Sequence, residues 1–94
     1  MLIWNRYIID DFIKDYPMSR NPLEHWETVT RRVIWTKPAE VKQTFGSVSF
    51  VGKTTIFNIG GNKWRLLSHI EYQRETVIVT GVFTHKQYDK LKIT

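Results

Sequence analysis

The stretch TTIFNIGGNKWRLLSHIEYQRETVIVTGVF, residues 54–83, decides the fold. Its apolar residues alternate with a period of two, and its β-branched residues favour strands over helices. Gly60-Gly61-Asn62 predicts a tight turn, because glycine tolerates a positive φ. The expected strands and turns are strand 54–59, turn 60–62, strand 63–72, turn 73–75 and strand 76–83. Consecutive strands joined by short turns indicate an antiparallel sheet.

Helical spacing replaces strand alternation in the first half of the chain. Apolar residues over 7–16 recur at helical spacing, and Pro17 ends that predicted helix. Asn21-Pro22-Leu23-Glu24 has the pattern of a capped helix start, and the second helix is expected to reach about Trp35. A short third helix is expected from Pro38 to near Gly46. Residues 2–4 are a candidate edge strand.

The end of the chain predicts one more helix. Thr84-His85-Lys86-Gln87 has the form of a capping box, so a short helix is expected from His85 to about Lys92. Helices followed by strands indicate an α+β fold, with N-terminal helices packed on a small antiparallel sheet and a short C-terminal helix. Because domains of this size carry one core, residues 1–94 are expected to form a single domain.

Composition excludes several classes of protein. The chain has no cysteine, which excludes disulfide frameworks, thiolate nucleophiles and cysteine zinc sites. A net charge of +5 favours an acidic partner, either a nucleic acid or an acidic protein surface. The sequence shows neither a secretory leader nor an apolar run that could span a bilayer. We therefore expect a cytoplasmic protein without membrane association.

Two other kinds of site are not expected. Five residues separate Gly46 from Gly52 where a phosphate-binding P-loop needs four, and the segment leads into a strand rather than a helix. The three histidines, His25, His69 and His85, lie far apart, so no metal site is expected. His25 is interpreted as a surface residue. His69 is interpreted as structural, with a role beside a site left open.

Three residues together form a candidate site for phosphate chemistry. His85 follows a predicted cap, where free backbone N–H groups favour an anion and an imidazole can exchange protons near neutral pH. Tyr88 and Asp89 lie three and four residues further on, on the same helix face. Arg65 supplies a permanent positive charge suited to a phosphorane. Each residue also has a plain structural interpretation, as an exposed, packing or solvated side chain.

The strings FNIGGNKWRL, residues 57–66, and THKQYDK, residues 84–90, resemble the HigB family of toxins from bacterial toxin–antitoxin modules. The opening helix that ends in Tyr16-Pro17 is also similar, so the resemblance spans nearly the whole chain. It implies a RelE-like fold and an endoribonuclease that cleaves mRNA, often on the ribosome, without a metal or other cofactor. It also implies a HigA-type helix-turn-helix antitoxin, through which alone the protein would contact DNA.

The resemblance also implies roles for individual residues. Arg65 would stabilise the transition state, His85 would transfer a proton, and Tyr88 would position the reacting phosphate. The implied RNA-binding residues are the lysines near these positions: Lys53, Lys63, Lys86 and Lys90. Which residue is the general acid and which is the general base stays open. Trp64 is either a core residue or a platform on which a nucleobase stacks. The alternative function is a non-catalytic module of the same fold that binds RNA or the antitoxin.

Overall fold

A computed structural model describes residues 1–91 of the chain. In chain order the elements are β1 (Leu2–Trp4), α1 (Arg6–Asp15), α2 (Arg20–Arg32), α3 (Pro38–Thr44), β2 (Val48–Val51), β3 (Thr54–Ile59), β4 (Trp64–Glu71), β5 (Thr76–Thr84) and α4 (His85–Asp89). Short 3-10 turns at Pro17–Ser19 and Tyr72–Arg74 join α1 to α2 and β4 to β5. The predicted α+β fold is confirmed.

The five strands form one sheet in the order β1-β5-β4-β3-β2. The pairs β3–β4 and β4–β5 are antiparallel, as predicted, and the pair β2–β3 is antiparallel as well. The edge strand β1 instead pairs parallel to β5, with Leu2 opposite Thr76, so the sheet is mixed. A parallel pair needs a long crossover, and most of the chain, including every helix but α4, lies between these two strands.

Strand β2 was not expected from the sequence. It pairs antiparallel with β3, and Val51 lies opposite Thr54 across a tight turn at Gly52 and Lys53. Gly52 has a φ of +57°, which is the left-handed conformation that such turns require of glycine. The alternation of Val48 and its neighbours was the available signal, but four residues are too few to distinguish a strand from a loop.

The bounds of α2 differ from the prediction at both ends. The helix begins at Arg20, directly after the 3-10 turn, so the predicted cap at Asn21 does not form. Pro22 is tolerated there because amides in the first helical turn have no partner within the helix. At the other end, Val33 is extended, and the helix stops at Arg32. This early stop lets Trp35, which is 1% exposed, reach the core.

The core lies between the helices and one face of the sheet, which we name the helix face. Its centre is a set of aromatic rings in edge and stacked contacts, formed by Trp26, Trp35, Phe45 and Phe57. Trp64 and Leu66 of β4 also belong to this core, which confirms the interpretation of Trp64 as a core residue. Because side chains alternate along a strand, Arg65 and Leu67 lie on the opposite face of the sheet.

Helix α4 begins as its sequence predicts. Thr84 Oγ1 accepts a hydrogen bond from the Gln87 amide at 3.1 Å, and the Thr84 amide donates to Gln87 Oε1 at 3.0 Å, which completes the capping box. The helix ends at Asp89 with Lys90 as its C-cap, short of the predicted end near Lys92, which itself lies outside the described residues. Between residues 1 and 91, no helix combines the length and apolar character needed to cross a membrane.

Candidate active site

Arg65 is a buried cation on the opposite face of the sheet. It is 8% exposed, and the register of β4 places it between Asn58 of β3 and Phe83 of β5. Its Nη1 donates to the Trp64 carbonyl at 3.1 Å. Within residues 1–91 no carboxylate forms an ion pair with it. A buried guanidinium without a carboxylate can bind an anion supplied by a ligand, because its charge is permanent.

Helix α4 brings Tyr88 to this guanidinium. The Arg65 Cζ atom lies 5.5 Å from the centroid of the Tyr88 ring, within the range of a cation–π contact. The start of the helix is fixed to the sheet, because Thr84 pairs with Trp64 and the His85 amide donates to the Lys63 carbonyl at 2.9 Å. The structure therefore brings Arg65 and Tyr88 into contact and places His85 beside the start of β4.

His85 forms a pair with Asp89, one helical turn further along α4. The distance from His85 Nδ1 to Asp89 Oδ2 is 3.0 Å, and about half of each side chain is exposed. An ionised carboxylate only accepts hydrogen bonds, so this contact suits a ring that carries its hydrogen on Nδ1. In such a neutral ring Nε2 is the acceptor, which is the form a general base requires.

The structure leaves fewer free amides at the start of α4 than the predicted anion site would use. The His85 amide donates to the Lys63 carbonyl, and the Gln87 amide donates to Thr84 Oγ1. Two of the amides in the first helical turn are therefore already occupied. Positive charge at the site comes from side chains instead, Arg65 first among them.

The four lysines are all exposed, but they do not form one cluster. Lys63, Lys86 and Lys90 surround α4: the first precedes β4, the second lies in the first helical turn, and the third ends the helix. Lys63 Nζ also lies 5.8 Å from the ring centroid of Trp64. Lys53 lies in the turn before β3, whereas Lys63 lies beyond the far end of that strand. The length of β3 separates these two lysines by about 20 Å.

Two cavities adjoin this region. The smaller, of about 310 Å³, is lined by Val51, Tyr88, Asp89 and Leu91, so α4 extends towards the β2–β3 turn. The larger, of about 820 Å³, lies on the far side of that turn and includes Lys53 and His69 in its lining. His69 Nδ1 lies 3.2 Å from the Lys53 carbonyl and Nε2 lies 2.9 Å from Glu71 Oε1, which supports its interpretation as structural.

Comparison with known families identifies the chain. The sequence model of the HigB toxins, described as the RelE-like toxic component of a toxin–antitoxin system, matches residues 19–91. The chain belongs to the HigB toxin family. The matched segment contains all three proposed catalytic residues and all four lysines. Membership implies a cognate antitoxin as the partner of this HigB-family chain.

Individual members of the HigB family align with most of the chain. The mRNA interferase toxin HigB of Escherichia coli strain K12 is 26% identical over 84 residues, which cover 86% of this chain and 81% of that protein. The mRNA interferase HigB of Shigella flexneri gives the same identity and coverage. The mRNA interferase HigB of Escherichia coli O6:H1 is 22% identical over 94 residues, which cover 97% of this chain and 91% of that protein.

Sequence reasoning left two residues without a role in this HigB-family site. The spacing of four residues predicts that Asp89 lies on the same side of α4 as His85, but the sequence assigned no role to Asp89. Asn58 adjoins Arg65 across the β3–β4 pair. Its signal was the hairpin itself, since counting outward from the Gly60-Gly61 turn places Asn58 and Arg65 opposite each other.

Proposed function

We propose that the chain is an endoribonuclease that cleaves mRNA without a metal ion, as the toxin of a HigB/HigA-type module. The names of its relatives support mRNA as the substrate. The observation that carries the proposal is the buried guanidinium of Arg65, unpaired with any carboxylate of residues 1–91, in contact with a helix that holds a His85–Asp89 pair. A fixed cation and a base on one surface are what RNA cleavage by an internal nucleophile requires.

The proposed reaction uses the ribose 2′-hydroxyl as nucleophile. His85 Nε2 takes the proton of that hydroxyl while its oxygen forms a bond to the adjacent phosphorus. The bond from phosphorus to the 5′-oxygen then breaks, and a proton from water passes to that oxygen, leaving a 2′,3′-cyclic phosphate and a free 5′-hydroxyl. Arg65 stabilises the charge on the phosphorane, and Tyr88 holds the guanidinium and the phosphate in position.

Asp89 has a positioning role in this proposal. Its carboxylate lies 3.0 Å from His85 Nδ1, which favours the ring orientation and the tautomer that leave Nε2 free. When His85 becomes a cation after accepting the proton, the same carboxylate stabilises it. The proposed base therefore acts as a pair of residues on one helical turn.

The substrate and partners follow from the same proposal. The RNA phosphates contact four exposed lysines, Lys53, Lys63, Lys86 and Lys90. Translation on the ribosome supplies the mRNA in single-stranded form. A HigA-type antitoxin with a helix-turn-helix holds the toxin inactive, and the complex contacts DNA through the antitoxin alone. The cytoplasm, where mRNA is translated, is the proposed location.

The test combines growth and RNA analysis in a bacterial host. Induced wild-type protein is expected to arrest growth and to create new mRNA 5′ ends bearing hydroxyl groups, whereas His85→Gln is expected to do neither. His25→Gln is the matched control, because His25 is an exposed histidine on α2. Purified ribosomes with bound mRNA, compared with mRNA alone, measure the dependence on translation.

The outcomes separate the alternatives. Arrest and cleavage by the wild type and His25→Gln, but not by His85→Gln, would support the proposed nuclease. If the soluble wild-type protein left mRNA intact while still binding an antitoxin, the non-catalytic module of the same fold would replace the proposal. Equal cleavage by wild type and His85→Gln would contradict the role of His85.

A further inference from the structure

A second concave surface lies next to the candidate active site, and we name it the turn cleft. It is the cavity of about 820 Å³ between the β2–β3 turn, the end of β4 and the start of α3. Its volume lies within the range of roughly 300 to 1,000 Å³ typical of ligand pockets. Of the residues proposed above for catalysis or RNA binding, only Lys53 lines it, so the chemistry at His85 does not explain it.

The turn cleft and the candidate active site lie on either side of the β2–β3 turn. Val51 lines the small cavity beside Tyr88 and Asp89, and the next two residues, Gly52 and Lys53, line the turn cleft. Along β4, His69 at the cleft is four residues, or about 13 Å, from Arg65. Phe50 shares its face of β2 with the core residue Val48, so RNA with its reacting phosphate at Arg65 reaches the ring of Phe50 after passing around this turn.

The lining of the turn cleft suits a base and its phosphate. Phe50 is 40% exposed there and offers an aromatic surface for stacking. Lys53 supplies a cation on the turn, and Gln73 supplies an exposed amide that can both donate and accept. Glu71 also faces the cleft, but it is paired with His69 at 2.9 Å, which limits repulsion of a phosphate.

The position of Lys53 is fixed by the strand beside it. His69 Nδ1 lies 3.2 Å from the Lys53 carbonyl, and Nε2 lies 2.9 Å from Glu71 Oε1. Both of these partner oxygens are acceptors, so each ring nitrogen faces an oxygen to which it can donate when it carries a hydrogen. These contacts link the β2–β3 turn to β4 at the edge of the cleft.

We propose that the turn cleft binds a nucleotide of the RNA substrate several positions from the cleaved bond, with Phe50 stacked on the base and Lys53 on its phosphate. The inference rests on the proposed nuclease function and extends it from the reacting phosphate to a more distant nucleotide of the same strand. Stacking is tolerant of sequence, whereas the amide of Gln73 gives the subsite a preference among bases.

The experiment measures RNA affinity in a His85→Gln background, which prevents cleavage. Fluorescence anisotropy compares a trinucleotide, which fills only the site at Arg65, with a hexanucleotide that also reaches the turn cleft. Phe50→Ala is expected to weaken hexanucleotide binding at least about fivefold and to leave trinucleotide binding unchanged. Lys53→Gln is expected to weaken hexanucleotide binding and to lower its salt dependence by about 0.7 in log–log slope.

The controls use an exposed apolar residue and an exposed lysine elsewhere. Met18→Ala removes an apolar side chain that is 78% exposed on the turn between α1 and α2, and Lys42→Gln removes an exposed lysine of α3. Neither control is expected to change the affinity for either RNA. Because Lys53 is exposed on a turn, its substitution reports on the cleft even if Phe50→Ala loses stability.

Four results would overturn the inference. Unchanged hexanucleotide affinity in both cleft variants would exclude the subsite and leave the proposed nuclease standing. Equal weakening for both RNAs would show that the residues act on binding in general. Normal RNA binding with loss of the antitoxin complex would make the cleft a protein contact. If the parent protein bound neither RNA, the proposed nuclease itself would fail, and the inference with it.

Discussion

At the scale of the residue, Arg65 is the unusual side chain of this fold. Burial of a guanidinium is costly unless an anion accompanies it, and the described residues supply only the Trp64 carbonyl and the ring of Tyr88. His85 shows the opposite arrangement, since it is half exposed but held by a carboxylate. The site therefore combines a cation that lacks an anion with a histidine that already has a carboxylate partner.

Asp89 is the residue whose removal tests this pairing. In Asp89→Asn, kcat for RNA cleavage is expected to fall about 10- to 100-fold with little change in KM, because His85 loses its fixed tautomer while the cations that bind RNA remain. Steady-state cleavage kinetics measure both constants. Asp15→Asn, an exposed carboxylate on α1, is the control. An unchanged kcat in Asp89→Asn would exclude the positioning role.

Gly60 and Gly61 provide a second test at this scale. Both have positive φ, +62° and +70°, but a Cβ at Gly60 would lie 2.7 Å from the Trp64 ring, whereas one at Gly61 would meet nothing within 4 Å. Gly61→Ala is expected to lower the free energy of unfolding by about 1–2 kcal/mol. Gly60→Ala is expected to cost about 1–3 kcal/mol more, because overpacking adds to the strain. Urea denaturation measures both, and equal losses would contradict the role assigned to Trp64.

At the scale of the element, α1 and α2 are joined through Glu27. Its carboxylate, 14% exposed, accepts hydrogen bonds from Arg6 Nε at 2.8 Å and from Arg31 Nε at 3.1 Å. Burial alone would raise the pKa of Glu27, but the hydrogen bonds from the two arginines outweigh it and leave the pKa below its usual value of 4.5. The ionised form of Glu27 is therefore part of the packing between the two helices.

The lowered pKa of Glu27 gives stability a defined pH dependence. Because the pKa is lower in the folded than in the unfolded chain, the contribution of Glu27 is complete well above pH 4.5 and is lost as pH falls through the folded pKa. At pH 7 the free energy of unfolding of Glu27→Gln is expected to be about 1–2 kcal/mol lower than that of the wild type, and this difference is expected to become smaller in acid. Urea denaturation at pH 7 and in acid measures the difference.

The control for Glu27 lies on the same helix. Glu24 is half exposed, and its carboxylate lies 3.8 Å from Arg20 Nη1, a longer and more solvated contact. Glu24→Gln is expected to change stability by less than about 1 kcal/mol at either pH. A constant gap between wild type and Glu27→Gln across the acid range would show that the carboxylate contributes through its shape and not its charge.

The elements also show what the sequence could predict. Strand β3 and the capping box of α4 depend on neighbouring residues, so local patterns predicted them. The direction of β1 and the end of α2 depend on distant parts of the chain, since Leu2 pairs with Thr76 and Trp35 enters the aromatic core. Such long-range contacts override local preference and leave no local signal.

The same division applies to the candidate site. The spacing along α4 predicted that His85 and Asp89 lie on the same side of this helix, and the structure brings the two side chains together. The burial of Arg65 and its contact with Tyr88 depend on the β4 register and the position of α4, which no sequence pattern reports. The turn cleft depends on β2, a strand that the sequence did not predict.

At the scale of the whole molecule, charge is unevenly distributed. Six of the nine acidic residues lie in the helical layer, Asp10, Asp11, Asp15, Glu24, Glu27 and Glu40. Two of the other three, Glu71 and Asp89, are paired with His69 and His85. With a net charge of +5, the sheet side therefore presents mainly positive charge, which orients the protein towards a polyanion.

This asymmetry predicts which lysines matter for RNA. Replacing Lys86 by glutamine is expected to lower the slope of log affinity against log salt by about 0.7, because one fewer phosphate contact releases counterions. Lys42→Gln, in the helical layer, is expected to leave the slope unchanged. Binding of a single-stranded RNA to a His85→Gln protein at several salt concentrations measures both slopes. Equal reductions would show that net charge alone sets the affinity.

The parallel pairing of β1 with β5 also determines when this protein can fold. Leu2 and Thr76 are 74 positions apart, so the first strand made by the ribosome has no partner until synthesis passes residue 76. Arg65 cannot be enclosed before β5 and α4 follow. Contacts of such long range form late and slowly, and a growing chain folds only as its partners emerge. The nascent polypeptide therefore lacks an assembled site until residues 76–89 have been translated.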